Sequence, residues 1–219
     1  GDLTNLVDKA ASLGASVVGL NPLHPLYPGN PAHRSPYSPT SRCFLNTLYI
    51  DVVNVPNFAE CTAAQKLVNS DQFQTRLAGL NQAELIDYAE TAGCKYQVLE
   101  LLYEHFHRNH TKKDTALAQQ FADFKAQMGD DLLTFATFDA LYEHFRKKDF
   151  NAYSWTDWPL AYQDPDSEAV TKFKARHKRR VDYFIFLQWL ADTQLAAAAD
   201  KAEQSNMAIG LYLDLAVGC

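Results

Sequence analysis

The run Ser-Val-Val-Gly-Leu at residues 16–20 decides the fold class, because a short, nearly continuous apolar run is typical of a strand buried on both faces of a parallel sheet. Before this run, residues 2–13 carry apolar side chains at helical spacing, and Gly14 stands where a glycine commonly ends a helix. The same order returns near the C-terminus, where an alanine-rich helix at 195–202 leads into Ala-Ile-Gly-Leu-Tyr-Leu at 208–213. A helix followed by a buried strand, seen twice, predicts an α/β protein with a barrel or a doubly wound sheet.

The segment from Asn21 to Thr40 holds six of the nine prolines in the chain. Because proline fixes φ and lacks a backbone N–H, this segment is predicted to be neither a helix nor an inner strand. Proline also lowers the entropy of the unfolded chain, which favours a loop that is rigid before its ligand binds. If residues 16–20 form a barrel strand, the loop leaves from its carboxyl end, where barrel enzymes build their active sites.

Two side chains at this predicted rim are candidates for ligand contacts. Asp214 follows the second predicted strand, and a carboxylate there can accept hydrogen bonds from two neighbouring hydroxyls of a sugar. Tyr37 lies in the proline-rich loop, and its ring can stack on the apolar face of a sugar. The spacing equally allows structural roles, in which Asp214 caps a following helix and Tyr37 covers the loop.

The middle of the chain is predicted to be mainly helical. Two apolar stripes at helical spacing are typical of core-facing helices. They consist of Leu99, Leu102, Tyr103 and Phe106, and of Phe135, Phe138, Leu141, Tyr142 and Phe145. Residues 183–190 are apolar almost all round, as expected for a helix buried inside a larger protein.

Composition favours a folded and soluble protein. With 219 residues, 47% of them hydrophobic, the chain can build one or two domains around a sizeable core. The net charge of -6 argues against nucleic acid as the main partner, because phosphate backbones attract basic surfaces. The apolar runs are too short to cross a bilayer and the N-terminus lacks a signal-peptide pattern, so we expect no membrane partner and a cytoplasmic location.

The cysteines are far apart and form no CxxC pair, which predicts free thiols and no structural zinc site. They are Cys43, Cys61, Cys94 and Cys219.

A helical metal-binding module is one alternative reading. Glu104 and His107 have the i, i+3 spacing of a di-metal carboxylate site, and His110 continues the same face. Such a site needs a second Glu-x-x-His, whereas Glu143 is followed three residues later by Arg146. We therefore expect no metal ligands in this chain.

A non-catalytic helical module that docks on another chain is a second alternative. In this alternative the helical middle segment of the chain docks on its partner. Separately, a basic run between residues 172 and 180 has the composition of a phosphate or partner surface, and we expect it to be a solvated helix face instead. Binding of maltose-series sugars without a tight protein partner would argue against this alternative.

Three ordered segments resemble the amylomaltase (4-alpha-glucanotransferase) family. The first comprises residues 19–28 (GLNPLHPLYP), 35–42 (SPYSPTSR) and 45–52 (LNTLYIDV). The second is WTDWP at 155–159, and the third is QWLAD at 188–192 with IGLYLDLAVG at 209–218. The resemblance covers nearly the whole chain, and residues 55–150 are its least diagnostic part.

The resemblance implies a (β/α)8 TIM barrel with helical insertions that acts on malto-oligosaccharides (α-1,4-glucans) without a metal or organic cofactor. It implies a retaining double displacement, in which one carboxylate attacks the anomeric carbon, a second carboxyl group protonates the leaving oxygen, and an acceptor sugar intercepts the covalent intermediate. By the same resemblance Ser35, Tyr37 and Asp214 are substrate-binding, and the nucleophile, the acid and the supporting aspartate lie beyond Cys219, so this chain holds no catalytic residue. Leu213 stands where related proteins often carry a basic residue.

The expected architecture is therefore α/β, an incomplete (β/α)8 barrel fragment with a large, mainly helical insertion. Residues 1–54 hold the first barrel strand and the proline-rich substrate loop, 55–165 the insertion, and 166–219 further helices and the barrel strand that ends at Asp214. Because the chain starts without methionine and stops directly after a strand, we expect a piece of a longer protein that is inactive alone. Exposed strand edges and helix faces would then favour self-association.

Overall fold

The computed structural model describes residues 1–27, 30 and 33–217. Within these residues, regular structure consists of seven α-helices and two β-strands, with short 3-10 turns between them. In chain order they are α1 (Asp2–Ser12), β1 (Val17–Leu20), α2 (Thr62–Val68), α3 (Asp71–Gln82), α4 (Tyr88–Asn109), α5 (Ala116–Lys148), α6 (Glu168–Arg176), α7 (Lys178–Gln204) and β2 (Gly210–Leu213).

The two strands form a parallel pair in which Val18 lies opposite Leu211 and Gly19 opposite Tyr212. Helices α1 and α7 cover one face of this pair. The small buried cluster on that face consists of Val7, Val18, Ala202 and Met207. The two helix-then-strand units predicted from the sequence are therefore neighbours, and their strands run in the same direction.

The prediction that residues 16–20 are buried on both faces is wrong for the described chain. Val17 is 39% exposed, and Tyr212, which lies opposite Gly19 on the same face of the pair, is 59% exposed. Successive side chains of a strand point to opposite faces, and α1 and α7 lie on one face only. The side chains of the second face therefore lie in solvent.

The main core lies in the helical part of the chain, where α4 and α5 both pack against α7. Both predicted apolar stripes contribute to it, and all their members are buried except Phe138, which is partly buried. The central part of α7 is buried all round, from Tyr183 to Leu187 and at Trp189 and Leu190, as predicted.

Helix ends follow local sequence signals. Asp87 and Thr115 cap α4 and α5, because their side chains accept hydrogen bonds from the backbone N–H groups of the first turn. Helix α1 ends where predicted, and Gly14 after it has a φ of +82°. Helix α5 is interrupted at Gly129, whose φ of 61° and ψ of -147° are not helical.

The basic run is only in part the solvated face that we expected. It divides between α6 and α7, and Lys172 makes an exposed pair with Glu168. Arg180 instead lies between helices, where its Nε donates to Glu143 at 2.6 Å and a second nitrogen contacts Glu100. These ion pairs fasten the start of α7 to α4 and α5.

Cys43, Cys61 and Cys94 are free thiols, as predicted, and Cys219 lies outside the described residues. Among the helices of the described residues, none combines the length and apolar character that crossing a membrane requires.

Candidate functional site

Tyr37 and Asp214 lie in contact although 177 positions separate them in sequence. The phenol Oη of Tyr37 donates to Oδ2 of Asp214 over 3.4 Å, a long hydrogen bond. The other carboxylate oxygen, Oδ1, accepts the backbone N–H of Leu215 at 2.9 Å. The Asp214 backbone N–H donates to Leu20 at 3.3 Å and so extends the strand pairing to the carboxylate. The loop after β1 and the end of β2 therefore form one surface.

The proline-rich segment is neither helix nor strand at its described residues, as predicted; Pro28 and Pro31 lie outside them. Hydrogen bonds across the segment hold its shape: the carbonyl of Pro25 accepts from the N–H of Thr40 at 2.9 Å and from its hydroxyl at 3.2 Å. Just beyond, the N–H of Asn46 donates to Leu23 at 2.8 Å. The ends of the loop are thus tied to each other.

Two glutamines of α7 fasten the chain that follows the loop, and sequence reasoning missed both. The Gln188 amide accepts from the N–H of Leu45 at 3.0 Å and donates to the carbonyl of the same residue at 2.9 Å. Gln194 makes the same pair of bonds with Asp51, at 2.8 and 2.9 Å. Gln188 is buried. A glutamine inside an apolar helix segment is unusual, and this feature of the sequence could have indicated a buried polar contact.

Ser35 lies two residues before Tyr37 in an exposed turn, where its carbonyl accepts the N–H of Ser38 at 3.2 Å. The turn presents the ring of Tyr37, which is 50% exposed. An open groove beside it is lined by residues 38–42 together with Tyr27 and His33. All three sequence-predicted residues are thus accessible at one rim, since Asp214 is half-buried there.

A small cavity of about 30 Å³ lies under the loop and is lined in part by Tyr96, Asp139 and Gln188. Burial, and secondarily the charge of Glu143, raises the pKa of the Asp139 carboxyl well above its ordinary value. Burial also raises the pKa of Tyr96 to about 12, and its hydroxyl lies 2.9 Å from that of Thr47. This cavity holds only a few water molecules, so it is too small for a sugar.

The three residues considered for a helical metal site do not converge. Glu104 pairs with Arg179 of α7, and His107 stacks on Tyr103. His110 points elsewhere, with its Nε2 only 3.2 Å from a carboxylate oxygen of Glu60.

Two solved amylomaltases share this fold. Amylomaltase from Corynebacterium glutamicum gives a TM-score of 0.70 at 28% identity, over 99% of this chain and 27% of that one. Amylomaltase from Streptococcus agalactiae, solved in complex with acarbose, gives 0.71 at 20% identity, over 98% of this chain and 39% of that one. At 20% identity, the similarity to the Streptococcus agalactiae enzyme concerns the fold alone.

The chain belongs to the 4-alpha-glucanotransferase family, whose family model matches residues 1–219. The 4-alpha-glucanotransferase of Haemophilus influenzae is 33% identical over 220 residues, which cover 99% of this chain and 32% of that protein. That of Mycobacterium tuberculosis is 34% identical over 231 residues, covering 100% of this chain and 30% of the relative. The resemblance inferred from the three motifs is confirmed, and the chain spans less than a third of the length of these curated relatives.

Proposed function

We propose that this chain supplies substrate-binding residues of a 4-alpha-glucanotransferase, which transfers α-1,4-glucan segments between malto-oligosaccharides. Family membership over residues 1–219 supports the reaction class. The observation that carries the role of this chain is the 3.4 Å contact between Tyr37 and Asp214, which joins a proline-stiffened loop to the end of a strand.

In this proposal β1 and β2 are neighbouring strands of a (β/α)8 barrel and the site lies at their carboxyl ends. Residues 1–54 then hold the first strand and the substrate loop, 55–165 the helical insertion, and 166–219 the helices and strand that lead to Asp214. The parallel pairing and the solvent-facing side chains of the second sheet face support this arrangement, because further barrel strands would cover them.

The geometry of Asp214 suits a sugar. Its Oδ1 is held by the N–H of Leu215 at 2.9 Å, which fixes the carboxylate. Among the described residues its Oδ2 contacts Tyr37 alone, over a long distance, and a sugar hydroxyl can replace this contact with a shorter, charge-assisted bond. The half-exposed ring of Tyr37 then stacks on the sugar, and the Ser35 hydroxyl in the same turn binds a neighbouring hydroxyl.

The proposed reaction is a retaining double displacement in which an acceptor sugar, rather than water, intercepts the glycosyl-enzyme. We assign neither the nucleophile nor the acid to a carboxylate of this chain, and no metal or organic cofactor takes part. Asp214 orients the substrate for carboxylates that the resemblance places on later strands.

Calorimetric titration of the purified protein with maltotriose and longer malto-oligosaccharides tests the site. We expect Asp214→Asn to weaken binding about 10- to 100-fold, because a hydrogen bond to a charged group contributes roughly 1.5–3 kcal/mol. We expect Tyr37→Ala to weaken it about 2- to 10-fold through lost stacking. The matched control is Asp130→Asn, which removes an exposed carboxylate on α5 and leaves binding unchanged.

Equal sugar affinity in Asp214→Asn and the unchanged protein would remove Asp214 from the site.

An activity assay with maltotriose, in which the release of glucose measures disproportionation, tests the placement of the catalytic groups. We expect the 219-residue chain to be inactive alone, and turnover by it would show that the nucleophile and acid lie within these residues.

A further inference from the structure

Glu60, His105 and His110 come together at the far end of α4. One ligand atom of each, a carboxylate oxygen or a ring nitrogen, lies within 4.8 Å of the others. Glu60 stands just before α2, His105 in the last turns of α4, and His110 directly after that helix. Tyr96, which lines the cavity under the loop, stands about 14 Å earlier along the same helix. The cluster is therefore separate from the rim that carries Tyr37 and Asp214.

Two polar atoms at this corner are buried without a well-aligned hydrogen bond among the described residues. They are Oδ1 of Asn57 and Nε2 of His110, which has only an ion-pair contact with Glu60. Buried polar atoms are almost always satisfied in folded proteins, so two in one place point to a missing partner. His110 is only 7% exposed, and its Nε2 points at Glu60, 3.2 Å from the carboxylate oxygen. The Asn57 amide lies beside the second imidazole, 3.4 Å from Nδ1 of His105.

The surroundings of His110 allow the form of the ring that binds a metal. Its Nδ1 lies 3.0 Å from the hydroxyl of Thr115, the residue that caps α5. A neutral imidazole that donates Nδ1–H to this hydroxyl has its lone pair on Nε2, the atom that faces Glu60. Metal-binding histidines typically make such a second hydrogen bond, which fixes the ring and its tautomer.

We propose that Glu60, His105 and His110 form a binding site for a divalent transition-metal ion, of which Zn²⁺ is the probe of choice. Two imidazoles and one carboxylate are a ligand set that Zn²⁺ takes at distances of about 2.0–2.2 Å, with a water in the fourth position. The ligand atoms that lie farthest apart need to approach each other by up to about 1.5 Å to reach tetrahedral spacing. A rotation of the Glu60 side chain, which is 59% exposed, can bring its carboxylate closer to both imidazoles.

The metal has a structural consequence, since the ligands come from two separate parts of the chain. Binding ties the segment before α2 to the end of α4, next to the Thr115 cap that starts α5. The ion thus stabilises the helical segment at residues 55–165, and this inference does not depend on the proposed sugar site. Mg²⁺ and Ca²⁺ should not replace it, because they prefer all-oxygen sites.

The test uses the purified protein without a histidine tag, stripped with a chelator and dialysed against Zn²⁺ or Co²⁺. We expect one metal ion per chain, visible absorption from tetrahedral Co²⁺, and a rise in Tm with Zn²⁺ but not with Mg²⁺. Glu60→Gln and His105→Gln should each weaken metal binding about 100-fold or more, since loss of even an outer partner costs about 10–100-fold. Both variants avoid the buried His110, whose replacement risks misfolding.

His107→Gln is the matched control, because His107 lies on the same helix with burial similar to that of His105 but stacks on Tyr103 instead. We expect it to bind metal like the unchanged protein. If the protein bound no Zn²⁺, or if both Glu60→Gln and His105→Gln still bound it, the proposal would be wrong. The cluster would then be only an ion pair between Glu60 and His110. Loss of binding in His107→Gln alone would place the metal elsewhere and overturn the assignment.

Discussion

The carboxyl group of Asp139 is buried, and this burial disfavours its charged form. It lies on α5 inside the helical core, 5% exposed, and its Oδ1 has no hydrogen-bond partner among the described residues. A neutral carboxyl group tolerates this environment better than a charged one. Besides Glu143, the titratable groups that share its cavity are Tyr27, His33, Tyr88 and Tyr96.

We expect the stability of the protein to fall as pH rises because of Asp139. Its folded-state pKa is raised above its unfolded value, so the native state keeps a proton that the unfolded chain releases above about pH 4. Stability is lost with a slope of up to about 1.4 kcal/mol per pH unit until the pH reaches the folded-state pKa. Asp139→Asn cannot titrate at this position, so its free energy of unfolding should rise relative to that of the unchanged protein as the pH increases above about 4.

Urea denaturation at several pH values measures this difference. The control is Asp131→Asn, which neutralises an exposed carboxylate of the same helix and should shift stability by a nearly constant amount. A constant offset for Asp139→Asn as well would mean that Asp139 is charged in the native protein.

At the scale of elements, α5 depends on one glycine for its bend. Gly129 has φ 61° and ψ -147°, a region that is nearly closed to other residues. A Cβ added there meets nothing within 4 Å, so any loss on substitution comes from the backbone alone. Gly129→Ala should therefore lower the free energy of unfolding by about 1–3 kcal/mol.

Gly79 provides the matched comparison because it lies inside α3 with helical backbone and equally open surroundings. Gly79→Ala should raise stability by about 0.5–1 kcal/mol, the usual gain for alanine over glycine in a helix. Thermal or urea denaturation of both variants checks the pair, and equal effects of the two substitutions would contradict the backbone explanation.

At the scale of the whole molecule, the open face of the strand pair is an exposed apolar surface of the described chain. It carries Val17 and Tyr212, and the neighbouring residues Ile209, Leu215 and Val217 are exposed as well. Apolar side chains next to unpaired strand edges favour association with another chain. We therefore propose that the chain self-associates through this face when no other chain segment covers it.

Sedimentation velocity over a range of concentrations tests this proposal. Tyr212→Lys should weaken self-association about tenfold or more, because a charge buried in an apolar contact costs more than about 1.4 kcal/mol. Leu160→Lys, at a leucine that is 84% exposed and distant in sequence from the strands, should leave it unchanged. A monomer at all concentrations, or equal effects of the two variants, would contradict the proposal.

Local patterns in the sequence determined the elements of this protein. Helical spacing marked the stripes of α4 and α5, the prolines marked the loop, and the motifs at 19–52 and 209–218 indicated the family. Each of these signals depends on residues a few positions apart, because backbone geometry and side-chain periodicity act over that range.

Tertiary structure alone decided which distant residues meet. Tyr37 and Asp214 are 177 positions apart, and Gln188 reaches back 143 positions to Leu45. Glu60 meets His110, which the helical spacing had grouped with Glu104. The exposure of one face of β1 could not be predicted from the sequence either. An apolar run shows that a strand can be buried, but it does not show which neighbouring elements cover each face. Such contacts depend on how whole elements pack, and no local pattern encodes that packing.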